Sequence, residues 1–200
     1  MTPSPLKLDP NATLISIDVQ QGFDLRPFGP RNNPQMEENG LALLAGWRAA
    51  GLPVVVVRHD SVTPGSILAP ESPGNALKPG FEPQPGEPLI TKSVNSAFIG
   101  TDLEARLRAG GVRQVVLFGI STDMCVSTTA RMAANLGFEL VVVGDACHTF
   151  GQRTPDGELL DGESLHRAHL TTLNTEFGRV VRTQEALAAL PAPARTAAAR

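Results

Sequence analysis

The 200-residue chain has little cysteine, little excess charge and no long apolar run, and each shortage removes a class of protein. Two cysteines, Cys125 and Cys147, are too few for a disulfide framework, and their spacing fits no zinc-binding pattern. Such sparing use points to a reducing, cytoplasmic setting. Lys and Arg total 17 against 20 Asp and Glu, a formal net charge of −3. No basic stripe follows from that balance, so nucleic acid is not an expected partner, and no run of like charge reads as an interaction tail. Apolar stretches such as 52–57 are too short to span a bilayer. The N-terminal segment lacks the basic, apolar and small-residue succession of a signal peptide and reads as part of the fold. No GxGxxG follows the first strand-like segment and no GxxxxGK[ST] occurs, leaving a nucleotide cofactor without support.

What is present is an alternation of strand-sized and helix-sized segments. Residues 12–18 (ATLISID) read as a strand, and 54–57, four consecutive valines, as a strand covered on both faces. Between them Met36, Leu41, Leu44 and Trp47 recur at helical spacing, with Gly51 placed to end the helix. From 59 to 88 the chain is rich in proline and glycine and has no period, which suggests a long excursion over the sheet edge. Strands are then expected at 89–91, 112–119, 138–143 and 179–182, with helices at 101–109, 123–135, 162–172 and 184–190. Thr101 is placed to cap the first of these helices. The pattern predicts an α/β three-layer sandwich with a mostly parallel central sheet of about six strands, covered by helices on both faces. Residues 1–190 read as one domain and 191–200 (PAPARTAAAR) as a flexible tail.

Ligands of such sheets gather beyond the carboxyl ends of the strands, and that rule selects the residues to weigh. Cys125 lies in GISTDMCVSTTA, just after a strand and inside a helix start. With Thr122 as the cap, free N–H groups and the helix dipole would lower the thiol pKa and stabilise an oxyanion. A small buried filler explains the same cysteine. Asp18 ends the first strand, where burial would raise its pKa into the range of a general base; capping the following turn is the plainer role. Lys92 follows Leu89–Thr91 and could hold a thiolate or carboxylate, though most lysines are solvated. His59, Asp60, Cys147 and His148 also sit near strand ends but form no tight ligand cluster, so no metal is expected. Phe23, Asn95, Phe98, Thr128 and His148 are substrate-binding candidates by their nearness in sequence to this centre.

These residues, together with DVQ at 18–20, HDSVTPGS at 59–66, ITKSVNSAF at 90–98 and the block from Gly119 to Cys147, resemble the cysteine hydrolase branch of the isochorismatase-like superfamily. The resemblance covers about 12–177. It implies a catalytic triad of Asp18, Lys92 and Cys125, a cis peptide between Ile120 and Ser121, and an oxyanion hole formed by the Ser121 and Cys125 N–H groups. It further implies hydrolysis of a small amide or carbamoyl substrate through a thioester and assembly as a homo-oligomer, a dimer or tetramer. An esterase or thioesterase with the same triad, a metal-dependent amidase and a non-catalytic binding protein are the rival readings. The metal-binding Asp-x-His of nicotinamidase-like members is replaced here by His59–Asp60–Ser61, which argues against a metal and against nicotinamide. Leu68 and Phe81 in the Pro/Gly-rich excursion are candidate subunit contacts.

Overall fold

The structure, a computed structural model, describes residues 4–25 and 29–191, so the expected tail lies outside the described residues from 192 onward. Strands β1 (Thr13–Ile17), β2 (Val54–His59), β3 (Leu89–Lys92), β4 (Gln114–Ile120), β5 (Glu139–His148) and β8 (Arg179–Val181) form one sheet in the order β3-β2-β1-β4-β5-β8. Every neighbouring pair in it is parallel. A short antiparallel hairpin, β6 (Gln152–Arg153) with β7 (Leu159–Leu160), stands apart from it and was not expected. The helices are α1 (Met36–Ala50), α2 (Leu103–Ala109), α3 (Ser127–Asn135), α4 (Gly162–Thr172) and α5 (Thr183–Ala188). They flank the sheet on both faces, α1 packing with α5, and α3 with the turn that follows α4. This is the expected three-layer sandwich.

Every residue of β1 and β4 is buried, which is why these strands show aliphatic runs without alternation. On α1 the buried stripe is Met36, Leu43, Leu44 and Trp47, whereas Leu41 is 39% exposed, so the helix is turned slightly from the expected face. Trp47 satisfies its indole N–H on the Ala12 carbonyl at 3.0 Å, tying α1 to the start of β1. Phe81 is buried and packs against Phe118 with ring centroids 6.4 Å apart. It is a core residue, which corrects its reading as a subunit contact. The Pro/Gly-rich excursion is likewise anchored rather than loose. Buried Asn75 donates to the carbonyls of His59 and Leu68 and to Asp60 Oδ1, at 2.9–3.1 Å.

Strand ends differ from expectation in two places that matter. β5 continues through Gly144 to His148, because its pairing with β4 resumes at Gly119↔Cys147 and Ile120↔His148 after an irregularity. The helix after β4 opens as a five-residue π-turn, Thr122–Val126, before α3, and Ser121 rather than Thr122 is the cap. Asp102, not Thr101, caps α2; the Thr101 hydroxyl still accepts the Leu103 N–H at 3.3 Å.

Gly119 makes the β1–β4 approach possible. Its φ is +140°, and a Cβ there would lie 2.1 Å from the Ile17 carbonyl oxygen. Gly119→Ala should lower stability by about 3 kcal/mol or more, since neither backbone has room to yield. Urea unfolding checks this, and a variant as stable as the parent would contradict it.

Candidate functional site

Four neighbouring strands of the sheet deliver one side chain each to its carboxyl edge. Lys92 ends β3, His59 ends β2 in register with it, Asp18 follows β1, and the turn bearing Cys125 follows β4. Adjacent strands lie roughly 4.8 Å apart, so residues scattered over the sequence become neighbours. Asp18 leaves the strand in the left-handed region, with φ +52°, a conformation aspartate tolerates better than most residues. The Ile120–Ser121 peptide ahead of the π-turn is cis.

The Lys92 ammonium is the meeting point. Its Nζ lies 2.5 Å from Asp18 Oδ2, 3.0 Å from His59 Nδ1 and 3.4 Å from Cys125 Sγ. An ammonium has three hydrogens to donate and here finds three acceptors. Both side chains of the Asp18–Lys92 pair are wholly buried. Donor atoms of Asp18, His59 and Cys125 all lie within 4.8 Å of one another, a grouping that could also hold a metal ion. The Asn95 amide adds a contact to the sulfur, with Nδ2 at 3.7 Å.

Burial dominates the electrostatics. It raises the Asp18 pKa above the ordinary carboxylate value, and Lys92 only partly offsets it. It lowers the His59 imidazole to about 4, with the Lys92 charge acting in the same direction and Asp60 against it. His59 is therefore neutral near pH 7, its Nδ1 lone pair receiving the Lys92 proton donor. The Cys125 thiol is pushed up to about 12, first by burial and then by the Asp18 charge, which together outweigh Lys92. That corrects the expectation of a lowered thiol pKa. The helix start is present, but a cysteine 8% exposed beside a carboxylate is held as a thiol at rest.

The other sequence candidates are placed unequally. Asn95 reaches the sulfur, as given above. Phe23, half-buried, stacks on Phe150 with centroids 6.3 Å apart, and Phe150 in turn meets the edge of His148 at 5.0 Å. His148 is fully buried, and neither ring nitrogen has a hydrogen-bond partner among the described residues. Phe98 stacks on Phe138 within the core, at 6.0 Å. Thr128 is exposed; its buried neighbour Thr129 accepts the Ala97 N–H at 3.0 Å and so secures the Asn95 loop to α3. His59, weighed from the sequence only as a possible metal ligand, joins the cluster, and Thr129 is the residue that sequence reasoning passed over. His59 was legible as the end of the valine strand, in register with Lys92; Thr129 lies one helical turn beyond Cys125 but carries no signal of its own.

A parallel α/β sheet that brings an Asp–His–Cys cluster to its carboxyl edge defines a class suited to cysteine hydrolase chemistry. Residues 12–185 match the isochorismatase domain, and the chain belongs to the isochorismatase family. An isochorismatase-family structure from Chromobacterium violaceum superposes with a TM-score of 0.91 at 45% identity, covering 94% of this chain and 98% of that one. The uncharacterised family protein YrdC of Bacillus subtilis is 39% identical over 178 residues, 89% of this chain and 95% of its own length. The ureidoacrylate amidohydrolase RutB of Methylobacterium radiotolerans is 30% identical over 233 aligned positions, 98% of this chain and 86% of its own length. No helix among the described residues is long and apolar enough to cross a membrane.

Burial holds the His148 imidazole at about 3, against 6.5 when free. The unfolded chain takes up this proton below pH 6.5 and the native state does not. Stability from this group is thus complete above 6.5 and lost as pH falls towards 3. His148→Gln should remove one proton from the pH dependence, about 1.4 kcal/mol per pH unit over that window. Urea unfolding at a series of pH values measures it; an unchanged slope would contradict the assignment.

Proposed function

We propose that the protein is a cysteine-dependent hydrolase that cleaves a carbon–nitrogen bond of a small amide or carbamoyl compound through a thioester. The observation that carries this reading is the single ammonium of Lys92, in contact with carboxylate, imidazole and sulfur at once. Asp18 supplies the base. Its raised pKa suits it to take the Cys125 proton as the sulfur adds to the substrate carbonyl carbon. Lys92 stays charged and moves its stabilisation from carboxylate to sulfur. The carbonyl oxygen, now an oxyanion, is received by the N–H groups of Ser121 and Cys125. Ser121 opens the turn, its own carbonyl engaged by the Met124 and Val126 N–H groups at 3.2 and 3.1 Å.

Collapse of the adduct breaks the carbon–nitrogen bond, and protonated Asp18 gives its proton to the departing nitrogen. A water then loses a proton to Asp18 and adds to the thioester; collapse releases the acid, and the thiolate recovers the proton from Asp18. The scheme needs no metal, because the point where Asp18, His59 and Cys125 converge is taken by Lys92, a fixed cation. Phe23 and Asn95 are the residues proposed to meet the substrate, while fully buried His148 backs them through its packing against Phe150. The amidohydrolase named among the relatives supports carbon–nitrogen cleavage as the reaction type.

A panel of matched small amides, carbamoyl compounds and esters tests the reading. Cys125→Ala should lower turnover by about a thousandfold or more, and Asp18→Asn or Lys92→Ala by about a hundredfold or more. Dialysis against a chelator should leave turnover unchanged. Undiminished hydrolysis by Cys125→Ala would overturn the nucleophile, ester-only turnover the bond type, and loss on chelation reversed by a divalent metal the metal-free scheme.

A further inference from the structure

His166 stands outside the strand-end cluster, on α4, and is buried. Its Nδ1 is 2.8 Å from Thr122 Oγ1, and its Nε2 is 3.3 Å from Asn33 Nδ2. Thr122 is wholly buried and is the first residue of the π-turn that carries Cys125. One side chain therefore joins the loop before α1, helix α4 and the nucleophile's turn.

The surroundings of Asn33 fix which ring nitrogen carries the proton. Asn33 Nδ2 also lies 2.7 Å from the Cys147 carbonyl oxygen and 3.3 Å from that of Gly144, so one of its two hydrogens serves Cys147 and the other is shared between Gly144 and His166. Turning the amide over would set its oxygen against two carbonyl oxygens, so the NH2 group must face His166. A donor facing Nε2 requires a lone pair there. The proton then sits on Nδ1 and is donated to the Thr122 hydroxyl. Asn33 is itself held at φ +45°, in the left-handed region, while its carbonyl accepts the first N–H of α1 from Met36 at 3.1 Å.

We propose that His166 is a positioning residue whose Nδ1–H tautomer, selected by Asn33, holds Thr122 and thereby fixes the turn that presents Cys125. This rests on Cys125 being the nucleophile, as proposed above. A second anchor makes the turn's placement definite: Asp123, the next residue, takes hydrogen bonds from the Thr149 hydroxyl and the Gln152 amide. Between them the two anchors tie the first two residues of the turn to α4 and to the segment beyond β5. Around His166, Glu163 on α4, Asp123 in the turn and Asp145 on β5 all favour the imidazolium, but burial outweighs them and lowers the pKa of the ring. The neutral ring is the resting form. Protonation as pH falls would place an Nε2–H against the Asn33 donor and drive the two apart.

Two measurements test this. In wild-type protein labelled with 15N-histidine, His166 should show a protonated Nδ1 and a bare Nε2 at neutral pH, its signals assigned by their loss in His166→Asn. The opposite tautomer, or a charged ring at neutral pH, overturns the proposal whatever the variants do. The second measurement is alkylation of Cys125 by iodoacetamide, followed by intact mass. His166→Leu removes the donor and should slow it about tenfold, whereas His166→Asn, whose amide NH2 falls near the position of Nδ1, should restore it to within about threefold. Leu reacting at the wild-type rate, or Asn failing to restore the rate in a protein of unchanged thermal stability, overturns it. Failure of the nucleophile reading has a different signature: turnover surviving in Cys125→Ala while the His166 tautomer is as stated.

Discussion

The buried contact between Lys92 and Asp18 is the constraint on which the site depends. Taking an ammonium and a carboxylate fully out of water costs several kcal/mol per ion, and their attraction returns that only where the remaining hydrogen-bonding capacity is also used. Lys92 uses it. Asp18, His59 and Cys125 between them take all three of its donors. The fold contributes the geometry: three consecutive parallel strands, β3, β2 and β1, end within reach of one another, and β4 brings the sulfur beside them. Removing the ammonium would leave a buried carboxylate with no counter-charge, an imidazole lone pair with no donor and a thiol with no cation. Three groups therefore meet at one nitrogen, which modulates shifts whose direction burial sets.

That dependence explains why the close packing of the sheet edge matters as much as the identity of the residues. β1 and β4 approach so tightly at Ile17 and Gly119 that no side chain fits between them, and Asp18 follows directly in the left-handed conformation. The Pro/Gly-rich excursion contributes in the same way from the other side. Gln20 donates to the His59 and Asn75 carbonyls and accepts the His59 N–H, at 2.8–3.0 Å, clamping the segment after β1 to the end of β2. Backbone polar groups that a strand end would otherwise leave open are satisfied by two buried amide side chains, Gln20 and Asn75. A segment that reads as irregular is thus part of the rigid support.

Legibility in the sequence followed the range of the interactions. The strands were readable because β1, β2, β4 and the first half of β5 are aliphatic and buried on both faces, and the strand-end rule then pointed to Asp18, Lys92 and Cys125. What escaped was decided by contacts between distant segments. Gly144 and Asp145 look like a strand terminus, yet pairing with β4 carries β5 on to His148. Phe81 lies amid prolines and glycines, where nothing local shows that its ring enters the core against Phe118. Thr128 and Thr129 cannot be told apart by composition, because the π-turn ahead of α3 shifts the phase of the helix relative to a plain α-helical start. The thiol was misjudged for a related reason: the helix start is visible in the sequence, whereas burial and a carboxylate 107 positions earlier in the chain are not.

The raised thiol pKa bears on how such a site can work. With Asp18 ionised, Lys92 charged and Cys125 protonated, the cluster carries no net charge. Passing the thiol proton to Asp18 yields a neutral carboxyl, the same ammonium and a thiolate, and the sum is again zero. A low-dielectric site penalises net charge far more than a rearrangement of charge within it, so this transfer is much cheaper than releasing the proton to solvent. Burial and the Asp18 charge both hold the proton on the sulfur against release to solvent. The internal transfer is governed instead by the difference between two groups that burial shifts the same way, with Lys92 placed to stabilise whichever of them is the anion. In the proposed reaction the thiolate would form only as it attacks, and a thiol that stays protonated at rest reacts slowly with adventitious oxidants and alkylating agents.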